Sequence, residues 1–166
     1  MDTSRFAAAF AAFDRVIAED TASDASWQAL QDLSRAVIGA KLFTVTTADM
    51  SAEVARREFT SDPQAYPVSG TKPITRDAWF AIVHDEHRTF VANTIRDIAA
   101  VFPDHETIWG LGCGSVANIP VVVAGELLGT VNCLDVEHHY SPERVEAAEL
   151  LRLPAKLAFL AAKRVG

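Results

Sequence analysis

One stretch limits the fold more than any other. Ser115–Val123 reads SVANIPVVV, Glu126–Asp135 reads ELLGTVNCLD, and Ala124-Gly125 lies between them. Two runs rich in Val and Leu, separated by a short glycine connector, predict a β-hairpin. A hairpin commits the chain to antiparallel pairing and argues against an alternating parallel sheet.

The elements before it follow from periodicity. Phe6, Phe10, Phe13 and Ile17 recur at helical spacing and predict a helix over about residues 3–18. Ser26 is the expected N-cap of a second helix, with Trp27, Leu30, Leu33 and Val37 on one face and Gly39 as its stop. Residues 42–47 (LFTVTT) alternate as a strand does. Residues 54–60 make a second strand, joined to the first by an acidic turn around Asp49.

Residues 61–75 hold three prolines and a glycine and read as a long loop, a length that often serves function. Thr75 is expected to cap a short helix carrying Trp79, Phe80 and Val83. Residues 89–92 form a short strand. Thr94 with Asp97 resembles a capping box opening a helix through Phe102, ended by Pro103. Residues 105–111 add another helical turn. After the hairpin, Ser141-Pro142 opens a last helix with Leu150, Leu153, Leu157 and Leu160 on one face and a kink at Pro154. The expected order is α-α-β-β-α-β-α-β-β-α.

Composition narrows the class. The chain of 166 residues is 49% hydrophobic and 22% charged, values of one globular domain spanning residues 1–166, with 1–24 as an N-terminal helical segment. A net charge of −7, with basic residues only in pairs such as Arg56-Arg57 and Lys163-Arg164, disfavours nucleic acid and anionic membranes. The apolar run FAAAFAAF at residues 6–13 is short and followed by charges, so it reads as helix rather than leader. Two cysteines are too few for a disulfide scaffold, and a cytoplasmic location is expected. On hairpin register, Cys113 lies too far along the strand to reach Cys133 unless the loop at residues 112–114 folds back.

At the last hairpin the chain resembles the GAF family, and the element order matches that family from about residue 25 to 163. The resemblance is carried by Gly114-Ser115, Asn118-Ile119-Pro120-Val121, the run from Gly125-Glu126 to Gly129-Thr130-Val131-Asn132, and Tyr140-Ser141-Pro142-Glu143. It implies an α+β fold: a central antiparallel sheet with the N- and C-terminal helices on one face and a ligand pocket on the other, roofed by the middle helices and loops. It also implies a small-molecule-binding sensory or regulatory module with no cofactor. A homodimer through the terminal helices is expected, although apolar stripes more often serve a monomer's own core. The alternative is a thiol or redox enzyme related to free methionine-(R)-sulfoxide reductases, using Cys113, perhaps with His84 or His87. Those reductases use three cysteines. The signatures of cyclic-nucleotide and phytochrome-like GAF domains do not stand out here, and no fused output domain is expected.

Candidate ligand-binding residues are Tyr66, Trp79, Phe80 and Trp109 in the roof, and Cys113, Ser115, Asn118 and Asn132 at or in the hairpin. Trp79 and Phe80, adjacent on a helix, cannot point the same way. Cys113, set among glycines, is either a reactive thiol or a small packed residue. Asn118 and Asn132 are amides inside apolar strands, so they must bond either a ligand or neighbouring groups. A three-residue turn sets them opposite each other on one face; a two-residue turn sets them on opposite faces. His84-Asp85-Glu86-His87 reads as a solvated loop rather than a metal site, and His138-His139, which would point to opposite sides if extended, does not read as a metal site either. Gly110, Gly112 and Gly114 precede a strand, the wrong place for a dinucleotide loop.

Overall fold

The computed structural model describes residues 4–19 and 22–164. A 3₁₀ turn, Ser4–Phe6, leads into α1 (Ala7–Glu19), and α2 (Ser23–Val37) follows. The expected helix start at residue 3 lies outside the described residues. Ser26 is not the cap of α2. Ala22 holds that position, and Ser26 is buried in the first turn. The apolar face is as expected: Trp27, Leu30, Leu33 and Val37 are all buried. Gly39, at φ +82°, terminates the helix, its N–H donating to the Ser34 carbonyl.

Strands β1 (Leu42–Asp49) and β2 (Val54–Thr60) pair antiparallel. The Asp49 carboxylate accepts the backbone N–H groups of Ser51 and Ala52 and the Ser51 hydroxyl, which shapes the connecting turn and lowers its own pKa. The loop after β2 contributes a two-residue strand, β3 (Lys72–Pro73), that the sequence did not reveal. Then come α3 (Ala78–Phe80), continued by a π-helical turn at Ala81–Asp85, β4 (Phe90–Ala92), α4 (Ile95–Ala99) and α5 (His105–Gly110). Asp77, not Thr75, caps α3 by accepting from the Phe80 N–H at 2.9 Å. Thr94 caps α4 as expected, but the helix ends at Ala99, short of Phe102. Strands β5 (Ser115–Val123) and β6 (Glu126–Asp135) form the hairpin with the expected bounds. The last helix is broken into α6 (Pro142–Ala148), a 3₁₀ turn at Glu149–Leu151, and α7 (Arg152–Lys163). The break lies just ahead of Pro154, whose missing N–H leaves the Leu150 carbonyl without its helical donor.

All six strands join one antiparallel sheet in the order β3-β2-β1-β6-β5-β4. Alternation splits each strand. Phe43, Val45, Ala117, Ile119, Val121, Val131 and Cys133 face a core shared with α1, α2, α6 and α7. There Trp27 meets Phe159 edge-on, with ring centroids 4.9 Å apart. The other face carries Leu42, Val116 and Leu134 beneath Tyr66, Ile98 and Ile108. Helices therefore cover one face, and the middle helices with the 61–75 loop cover the other.

The final helix carries its leucines on one face, but that face is not the one it packs against the sheet. Leu153, Leu157 and Leu160 are exposed and Leu150 is half-buried. The helix buries Leu151, Pro154, Ala155, Ala158 and Phe159 instead. Small side chains let the helix approach the sheet closely, and the leucines are left outside. On α1, Phe6 and Phe13 are buried while Phe10 and Ile17 are half-buried against the same core.

The hairpin settles the register. Ala124 and Gly125, both at positive φ, make a two-residue turn. Yet Asn118 lies directly opposite Asn132, the outcome expected of a three-residue turn. A β-bulge at Leu128 explains this. Val122 pairs Leu127, and Val121 pairs Gly129, so one extra residue in β6 shifts every later pair by one.

Candidate functional site

Between the sheet and its roof lies a cavity of about 320 Å³. Its floor is built by period-two alternation: Thr44 and Thr46 from β1, Val116 and Asn118 from β5, Thr130 and Asn132 from β6. Trp79, Phe102, Pro103 and Ile108 form the apolar wall. Phe102 meets Trp79 and Phe90 edge-on, with centroids 6.5 and 6.1 Å away. Arg57, Tyr66, Lys72 and Asp104 form the polar rim.

A hydrogen-bond relay crosses the floor. The indole N–H of Trp79 donates to Asn118 Oδ1 at 3.0 Å. Asn118 Nδ2 donates to Asn132 Oδ1 at 2.7 Å, and Asn132 Nδ2 donates to the Thr44 and Thr46 hydroxyls, each at 3.1 Å. An indole nitrogen can only donate. It fixes which end of the Asn118 amide faces it, and that choice propagates through Asn132 to the threonines. Both asparagines are buried, so each bond is worth about 0.5–1.5 kcal/mol net, and each broken partner about 1–3 kcal/mol.

At the rim the Tyr66 hydroxyl donates to Asp104 in a short bond. The Arg57 guanidinium lies 3.6 Å from the Tyr66 ring centroid and 3.7 Å from the Asp104 carboxylate, and it donates to the Pro67 carbonyl at 2.9 Å. These contacts tie the 61–75 loop to β2 and to the segment between α4 and α5. Burial, then the Asp104 carboxylate, push the Tyr66 phenol well above its usual value, so it stays a neutral donor.

Arg57 faces the cavity because of a second bulge. Phe59 pairs Val45 and packs in the helix-side core against Phe43, whereas Arg57 pairs Thr46. In a regular strand residues 57 and 59 would share a face. The extra residue, Glu58, turns Arg57 to the opposite side.

The sequence candidates separate clearly. Tyr66, Trp79, Asn118 and Asn132 line the cavity. Phe80 points away from Trp79 and stacks on His84 at 4.3 Å. Trp109 is 54% exposed and lies outside the cavity. The Ser115 hydroxyl donates to the Val136 carbonyl at 2.7 Å, a strand-end tie. Cys113 is buried in the roof-side cluster and does not line the cavity. Burial pushes its thiol up to about 11, with Lys41 pulling the other way, so it is protonated at neutral pH. His84 bonds Asp85, and among the described residues the charged groups that act on Cys113 are Lys41 and Asp135 rather than a histidine. The enzyme alternative is not favoured by this arrangement. Cys133 faces the helix-side core, opposite Ala117, and both thiols are free. Among the described residues, no three His, Cys, Asp or Glu side chains converge as a metal would need.

Sequence reasoning missed Arg57, Lys72, Asp104 and the floor threonines. Thr44 and Thr46 had a signal, since they alternate with Phe43 and Val45. Arg57 had none, because its facing depends on the bulge.

No protein-family model matches the sequence, and no curated protein does. Solved structures do. The GAF domain of a two-component sensor histidine kinase from Bacillus halodurans aligns with a TM-score of 0.69 at 11% identity, over 87% of this chain and 98% of that one. The GAF domain of a phosphoenolpyruvate-protein phosphotransferase from Coxiella burnetii gives 0.67 at 16%, over all of both chains. Free methionine-R-sulfoxide reductase from Neisseria meningitidis, in complex with its substrate, gives 0.65 at 13%, over 100% of this chain and 96% of that one. The chain has the GAF fold. That fold is chiefly represented here by sensory and regulatory proteins, and it also carries an enzyme.

Proposed function

We propose that this chain is a small-molecule-binding sensory domain whose ligand occupies the cavity between sheet and roof. The observation that carries the reading is the buried relay from Trp79 to Thr44 and Thr46, which fixes polar groups along the floor of a cavity of about 320 Å³ walled by aromatic residues. A cavity near the lower end of the usual ~300–1,000 Å³ range, mostly apolar with a few fixed polar groups, suits a small ligand. The sulfoxide reductase structure, with its substrate bound, supports the use of this fold for small-molecule recognition.

The partner expected besides the ligand is a second copy. Leu153, Leu157 and Leu160 leave an apolar stripe on α7 exposed among the described residues, and a matching helix would cover it. Native mass spectrometry of freshly purified protein tests both statements. A mass above that of the chain, with the excess lost on denaturation, gives the ligand's mass. A chain that stays monomeric at all concentrations removes the second copy. A panel of small molecules that leaves tryptophan fluorescence and melting temperature unchanged removes the binding reading.

A further inference from the structure

The direction of the relay and the charge at the rim together define what the cavity would hold. This step rests on the binding reading above. Asn132 spends its two N–H groups on Thr44 and Thr46, so each threonine oxygen accepts and each hydroxyl proton is left to point elsewhere. Among the described residues neither hydroxyl donates to a protein acceptor, and neither does that of Thr130. Thr130 stands directly opposite Thr46 in the sheet. The floor at this end therefore offers three hydroxyl donors and calls for an acceptor.

The same row continues into charge. Arg57 is the β2 partner of Thr46, and Lys72 pairs Ala55, two residues from Arg57 on the same face. Among the described residues Asp104 is the one carboxylate lining the cavity, and it already faces Arg57 and Tyr66. Lys72 makes no ion pair among the described residues. Two cations against one carboxylate leave the cavity with one uncompensated positive charge, in a chain whose net charge is −7. A cation beside convergent hydroxyl donors is the arrangement that binds a carboxylate through charge-assisted hydrogen bonds. Trp79, Phe102 and Ile108 give the cavity an apolar wall that carries no charge.

We infer that the cavity selects a small organic monocarboxylate with a one- or two-ring or branched apolar body. Its carboxylate lies over Thr46 and Thr130 toward Arg57 and Lys72, and its body lies against Trp79 and Phe102. Neutral isosteres lose the cation and bind less well. A second carboxylate on the ligand would meet Asp104 without a free cation to answer it.

The test is calorimetric titration of the whole chain with phenylacetate, indole-3-acetate and 4-hydroxybenzoate, each beside its carboxamide. At least one acid is expected to bind, with its amide weaker by roughly tenfold or more. Lys72→Gln, at an exposed position that leaves the fold intact, is expected to weaken the acid several-fold and leave the amide unchanged. Thr130→Val, with nearly the same volume, is expected to weaken both. An amide that binds as tightly as its acid, or an acid indifferent to Lys72→Gln, overturns the carboxylate assignment while the binding reading stands. If neither acids nor amides bind at the limit of their solubility, both fall.

Discussion

Replacing Gly129 by alanine attacks the point on which the site's geometry turns. Gly129 sits at φ +153°, immediately after the bulged residue Leu128. That backbone region is nearly reserved for glycine and costs any other residue about 1–3 kcal/mol. Space is the second obstacle. A Cβ here would lie 2.0 Å from the Thr46 carbonyl oxygen and 2.9 Å from the Phe159 ring and the Thr47 Cα. Two of those neighbours are backbone of the adjacent strand, which cannot swing aside as a flexible side chain can. Overpacking of this kind costs about 1–3 kcal/mol, and more where backbone must move. The sum is about 2–6 kcal/mol, a large part of the ~5–15 kcal/mol that holds a domain together. In a chain of this size each kcal/mol shifts Tm by about 2–4 °C, so a fall of roughly 4–24 °C is expected.

Gly125→Ala supplies the control. Gly125 also has positive φ, at +81°, but nothing lies within 4 Å of its Cβ position. Its loss should be near 1 kcal/mol, the backbone cost alone. Thermal and urea melts of both variants measure the difference. The reasoning fails if Gly129→Ala costs under about 1 kcal/mol, or no more than Gly125→Ala, because the close approach of β1 and α7 would then not be real.

Other expectations follow from the same contacts. Trp79→Phe keeps an aromatic wall but removes the donor that orients Asn118; a loss of about 1–3 kcal/mol is expected in thermal melts, together with displaced Asn118 and Asn132 side-chain amide resonances. Unmoved resonances would show that the indole does not set the relay. Gly39→Ala forces a side chain onto a φ of +82° with the His139 ring 2.6 Å away, and should lower stability by about 2 kcal/mol or more in a urea melt. Stability should also fall at alkaline pH. Cys113 and Cys133 are held protonated by burial, to about 11 and about 12. The folded state thus keeps protons that unfolded thiols shed from about pH 8.5, so the contribution of the thiols is constant below that pH and is lost from there toward pH 11–12. In pH-dependent melts, replacing both by alanine should remove the part of the decline that begins near pH 8.5 and leave the part from about pH 10 that the buried Tyr66 and Tyr140 phenols supply, and neither thiol should react quickly with a thiol reagent at pH 8 without denaturant.

Much of this architecture was legible because it follows from local pattern. Phe43 and Val45 alternating with Thr44 and Thr46 give a strand with one apolar and one polar face, and the structure uses both faces that way. The hairpin bounds follow from β-branched runs meeting at Ala124-Gly125. The final helix was harder. It carries two apolar stripes, and hydrophobicity alone favours the leucines. Close packing selects the alanine and phenylalanine face instead, because a strand with glycine at position 129 lets a helix with small residues come near.

The site was least legible, and the two bulges are the reason. Counting residues across the two-residue turn places Asn118 and Asn132 on opposite faces, where no relay could form. The extra residue at Leu128 restores them to one face. Counting along β2 places Arg57 with Phe59 in the core, where a guanidinium would be stranded. The extra residue at Glu58 turns it toward Thr46 and Thr130. A bulge is chosen by tertiary packing, such as Phe59 against Phe43 on one side and Arg57 over Tyr66 on the other, and no residue type within the strand announces it. Both bulges act on the same face of the same sheet, each rescuing a polar side chain from the wrong side. A site assembled by two register shifts is therefore sensitive at positions that never touch a ligand: a change at Glu58 or Leu128 that irons out either bulge should take Arg57 or the paired amides out of the cavity while leaving the strands paired.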